Sequence, residues 1–168
     1  MGLDMYLNRK VYVRNWNHMD DKKKVTVRYM GKGEDTYRVH PIFKGRKPEI
    51  SEVVEEVMYW RKANAIHQWF VNNIQNGHDD CGSYYVELDD LKRLLDEVNQ
   101  VLADPSVAPD ILPTTSGFFF GSTEYGDWYM EDMKNTQKAL KRILKEHEKA
   151  VAEGMPIYDV SYEYSSSW

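Results

Sequence analysis

A chain of 168 residues with a formal net charge of -5 and an isoelectric point near 5.6 has the length of one domain, and its acidity argues against a nucleic-acid binder. At this length roughly 70% of the unfolded surface can be buried, so neither a metal nor a disulfide staple is required. The single cysteine, Cys81, excludes an internal disulfide, and no apolar run approaches the roughly 20 residues needed to span a membrane.

Residues 3–13, "LDMYLNRKVYV", alternate imperfectly, are rich in Tyr and Val, and read as a strand. The opening "MGLDMYLNRK" has an aspartate where a signal peptide's apolar core would run, so cytoplasmic residence is expected. Tyr6 stands where the myristoylation pattern wants Ser or Thr. "VTVRYMGKGEDTYRVH" reads as two short strands around a glycine-containing turn, and Pro41 and Pro48 bracket a loop. The basic residues of "DKKKVTVRYMGKG" and "FKGRK" suit a solvated hairpin whose lysines discourage edge pairing; this region, 22–49, is expected to protrude.

Ser51 is expected to cap a helix running to about Gln75, with glutamates near its positive end and Gly77 as a stop. "SYYVE" reads as a short strand. "LDDLKRLLDEVNQVLAD" is an amphipathic helix with Asp89 as a plausible cap and Pro105 beyond its end. "PSVAPDILPTTSG" reads as an irregular loop, and "FFFGSTEY" as a buried strand or a packed loop. The segment from Gly126 to Gly154 is a third long helix, capped by Ser122, Thr123 or Asp127, and "IYDVSYEYSSSW" is a last strand that pairs near the first. The fold class is therefore α+β: one domain over 1–168, a small antiparallel sheet including both chain ends, and three long helices.

On a helical wheel begun at Val53, the positions Val53, Val57, Trp60, Asn64, His67, Val71 and Ile74 share one face. Asn64 and His67 are the polar members of that stripe. A buried amide or imidazole without a partner costs roughly 1–3 kcal/mol, so each either finds a bond in the core or lines a pocket. In the pocket version Trp60 is a platform, Asn64 and His67 are directional groups, and Arg61 meets a phosphate from one side.

Two other segments carry polar groups beside unusual neighbours. "HDDCGSYY" gathers His78, Asp79, Asp80 and Cys81 but has no spaced metal-ligand pattern, so no metal is expected. A Cys81–His67 or Cys81–His78 nucleophilic pair is the catalytic version, against an inert thiol. In "SGFFFGSTEYGDWY" three consecutive Phe cannot share one face of a strand, and Gly117 and Gly121 allow close backbone approach. Phe119, Glu124 and Tyr125 then join either a hydrophobic plug or a pocket in which Glu124 serves acid–base work or pairs a cation.

"MGLDMYL", "YWRKANAIHQWFV", "DDCGSYYV", "SGFFFGSTEY" and the closing "SSSW" resemble a family of small bacteriophage and prophage proteins with no established activity. The resemblance runs along the whole chain, with 22–49 and 139–159 variable. It implies a setting, the infected bacterial cytoplasm, and no catalytic residue.

The function expected is binding. A pocket of Trp60, Arg61, Asn64, His67, Phe119, Glu124 and Tyr125 would sequester a small nucleotide-like ligand, or the protein would inhibit a host or defence protein, without a cofactor. The alternatives are a small hydrolase or transferase using His67 with Glu124 or Cys81, and a nucleic-acid-associated protein using the basic hairpin. A homodimer is compatible with the aromatic content and with an edge strand near the end of the chain.

Overall fold

A computed structural model describes residues 2–13, 16, 18, 29–30, 37–38 and 50–168. The chain forms two compact units, Met1–Lys10 with Val54–Trp168, and Val11–Val53. In the second, strands β2 (Tyr29–Met30) and β3 (Tyr37–Arg38) pair antiparallel, with Tyr29 opposite Arg38 and Met30 opposite Tyr37. The glycine-containing turn expected between them, Lys22 to Lys24, Pro41, Pro48 and "FKGRK" lie outside the described residues.

The fold is α+β, and its main sheet of four strands is antiparallel. Strand β1 covers Asp4–Tyr12, β4 Glu52–Arg61, β5 Ser83–Val86 and β6 Val160–Ser167. The expected pairing of the last strand with the first is present. Strand β6 lies between β1 and β5, with Tyr84 opposite Tyr164 in the latter register. Alternation decides which side chains go inward: Leu3, Met5 and Leu7 near and along β1, and Tyr162, Tyr164 and Ser166 on β6, are buried.

The long helix expected over 51–75 is not formed. Glu52–Arg61 is the edge strand β4, and helix α1 covers only Asn64–Asn73. Val53, Val54 and Val57 favour the extended chain, and β1 supplies the pairing partner. Lys62 takes a positive φ of 61°, which turns the chain; its N–H donates to the Leu3 carbonyl at 2.8 Å. The expected seven-residue stripe is therefore divided between two elements, and Ser51 caps nothing.

Helix α2 covers Leu88–Ala103 and α4 covers Asp127–Ala152. Leu91, Leu94, Val98 and Val101 recur at spacings of three and four, are buried, and put the apolar face of α2 against α4. Glu87, rather than Asp89, caps α2, in a capping box closed by Asp90. Gly126 precedes α4 without a side-chain cap, so the expected roles of Ser122, Thr123 and Asp127 as caps are not realised. The prolines at 105 and 109 open a 3-10 turn, Pro105–Val107, and the short helix α3, Ala108–Ile111, inside what reads as a loop. The described helices therefore number four, of 10, 16, 4 and 26 residues, in place of three long ones.

Candidate functional site

The corner where β4 passes into α1 is joined to the loop before α4 by one side chain. Asn64, the first residue of α1, donates from Nδ2 to the carbonyls of Phe120 (3.1 Å) and Ser122 (2.8 Å), and its Oδ1 accepts from the Thr115 N–H (3.1 Å). A buried amide must place its donors and acceptor, and these three bonds do so. Gly121 makes the approach feasible: its φ is +87°, and a Cβ there would lie 3.2 Å from Cβ of Lys62. "FFFGSTEY" is thus a packed loop, not a strand. Phe118 is 94% exposed, while Phe119 and Phe120 are half-buried.

Between this corner, the loop and the first turns of α4 lies a cleft of about 780 Å³. Arg61 and Lys62 stand on the β4–α1 side, Glu124 on the loop, and Asp127, Glu131 and Asp132 on α4. Four carboxylates and two cationic residues therefore line the cleft. Trp128 lines the same cleft and is 82% exposed. Trp128 and Asp132 are four residues apart on α4 and so share a face.

Asp132 is the unusual group. It is half-buried, and among the described residues no hydrogen bond or ion pair reaches its carboxyl. Burial, with a smaller push from the neighbouring Glu131, raises its pKa to about 6. A carboxylate in that state gains from any cation that replaces its lost water.

Of the seven residues singled out from sequence, Arg61, Asn64 and Glu124 line the cleft. Trp60 is buried on β4 and donates its indole N–H to Thr136 Oγ1 of α4 at 2.8 Å. Tyr125 packs edge-on against Tyr129, and its hydroxyl accepts from the Thr114 N–H. Phe119 presents its carbonyl to the Leu3 N–H and its ring to Phe118.

His67 is fully buried and is not part of the cleft wall. Its Nδ1 is 2.7 Å from the Tyr164 hydroxyl, and its ring meets Phe120 edge-on. Nε2 lies 3.1 Å from Asp79 Oδ1. A carboxylate opposite Nε2 selects the Nε2–H tautomer, so Nδ1 accepts from Tyr164. Burial outweighs Asp79 and lowers the pKa of His67. No hydrogen bond links His67 to Glu124 or Cys81 among the described residues.

Cys81 is exposed and unpaired by any disulfide. Asp79 accepts from the Trp168 indole at 3.2 Å, and Asp80 accepts from the Gly82 N–H and the Tyr84 hydroxyl, which hold its carboxyl below the usual range. Among the described residues no group of three His, Cys, Asp or Glu side chains could hold a metal, and no helix is long and apolar enough to cross a membrane.

Sequence reasoning missed Lys62, Asp127, Trp128, Glu131 and Asp132. The legible signal was "DWYMED", where Asp127 and Glu131, and Trp128 and Asp132, each stand four residues apart on one helix. Comparison of the chain with family models, curated proteins and solved structures gives no match.

Proposed function

We propose that the protein is an accessory binding protein whose ligand carries a positive charge into the cleft between α1, the 112–126 loop and α4. The observation that carries this reading is Asp132, a half-buried carboxylate without a partner among the described residues, on the same helix face as the exposed Trp128. Carboxylates attract the cation, and an indole face adds a cation–π contribution of about 0.5–2 kcal/mol. The acidic excess disfavours the phosphates of a nucleotide, so a guanidinium or ammonium group replaces the nucleotide-like ligand expected from stacking rings and Arg61. The resemblance to phage and prophage proteins supports action inside an infected cell, on a host or defence component. A hydrolytic role for His67 has less support, because its ring is sealed in the core and Tyr164 occupies its accepting nitrogen.

The test is calorimetric titration with agmatine, a guanidinium probe, and with adenosine monophosphate. Agmatine is expected to bind, more weakly in Asp132→Asn, and the nucleotide is not. Binding of the nucleotide alone would reverse the proposed polarity of the site.

A further inference from the structure

The cleft has two poles, and a simple cation would use only one of them. Asp127, Glu131 and Asp132 line it from α4, while Arg61 and Lys62 line it from the β4–α1 corner. A polyamine has nothing to offer Arg61 and Lys62. A peptide has both halves: a basic side chain for the carboxylates, and backbone carbonyls for the two cations. Trp128 adds a third feature. A Trp left 82% exposed beside a polar cleft has the composition of an interface anchor, since Trp, Tyr and Arg dominate binding hot spots. Guanidinium suits this wall better than ammonium. Its planar fork can meet one carboxylate with two bonds while its face lies on an indole.

We infer that the cleft docks an arginine-bearing segment of a partner protein, with the guanidinium between Asp132 and Trp128 and the segment's carbonyls toward Arg61 and Lys62. This rests on the reading of the cleft as a cation site and adds the identity of the occupant. Charge complementarity selects that occupant. Four carboxylates against two cations leave the lining acidic, which disfavours an acidic segment and gains little from a neutral one.

The experiment measures fluorescence anisotropy of a labelled, end-blocked peptide Ala-Ala-Arg-Ala-Ala, beside its lysine and citrulline counterparts, with agmatine as competitor. Citrulline keeps the shape of arginine and removes the charge. The arginine peptide is expected to bind at least about ten-fold more tightly than the citrulline peptide and measurably more tightly than the lysine one. Asp132→Asn and Trp128→Ala should each weaken it by about ten-fold or more. Phe118→Ala removes an even more exposed aromatic that does not line the cleft, and should leave binding unchanged. Amide spectra of the three variants establish that each is folded. If agmatine displaces the peptide at the peptide's own dissociation constant, the site takes a free guanidinium compound; the inference fails and the proposed function stands. If the citrulline peptide binds as tightly as the arginine peptide, or neither peptide nor agmatine binds, both fail.

Discussion

Replacing Asp132 with Asn should make the protein more stable at pH 8, although it removes a charged residue from the surface of a cleft. The folded state raises this carboxyl from 3.8 to about 6, because burial disfavours the ionised form. A group whose folded pKa is raised binds its proton more tightly in the folded state. Stability is therefore highest below the unfolded value and falls as pH rises through about 6. The full displacement corresponds to roughly 3 kcal/mol above that window. Partial solvent access screens the charge, and about 1–2 kcal/mol is the reasonable expectation. In a chain of this length that is about 2–8 °C in melting temperature. The assay is thermal unfolding of the parent and Asp132→Asn at pH 4 and pH 8. The variant should gain at pH 8 and differ by only a few tenths of a kcal/mol at pH 4. An Asn variant equal to or weaker than the parent at pH 8 would mean that the carboxylate is stabilised by contacts in the folded state. The argument for an unsatisfied site would then collapse.

Three further outcomes follow from the same geometry. Asn64→Ala leaves two carbonyls and one N–H without their partner and should cost about 2–4 kcal/mol in urea unfolding; a loss below about 0.5 kcal/mol, half a typical hydrogen bond, would show that water replaces all three bonds. His67 has a folded pKa below its ordinary value, so its contribution is fully present above about 6.5 and is lost as pH falls toward the folded value. His67→Gln should flatten stability against pH in that interval, and an unchanged slope would assign the dependence to other groups. Gly121→Ala places a Cβ at φ +87° against the Lys62 side chain and should destabilise by about 1–3 kcal/mol, measured by the shift in denaturation midpoint.

The sequence carried the sheet better than the first helix. Period-two burial in "LDMYL" and "SYEYSS" is unambiguous, because Leu3, Met5 and Leu7, and Tyr162, Tyr164 and Ser166, all point inward. "SEVVEEVMYW" misleads because Val57 and Trp60, three residues apart, are both buried, a helix-like spacing that occurs here in an edge strand. The tertiary partner decided the outcome, since β1 pairs with these residues, and glutamates that suit a helix start also suit a solvated strand edge. In the site, Asn64 was identifiable as a buried amide in need of partners. That those partners are the carbonyls of a loop more than 50 residues away is not encoded in any local pattern. Asp132 escaped notice for the opposite reason: an acid in the second turn of an amphipathic helix looks ordinary until its burial is known.

Strand β6 has a consequence for how the chain is made. It fills the position between β1 and β5, yet it follows β1 by about 150 residues of sequence. During synthesis, β1 and β4 can pair early, and α2 can meet α4. The inner edge of β1 then stays open until residues 160–167 leave the ribosome. For most of translation the nascent protein therefore carries an unfinished sheet edge beside Leu3, Met5 and Leu7, the condition in which chains pair with the wrong neighbour. Folding yield should depend on what guards that edge until β6 arrives.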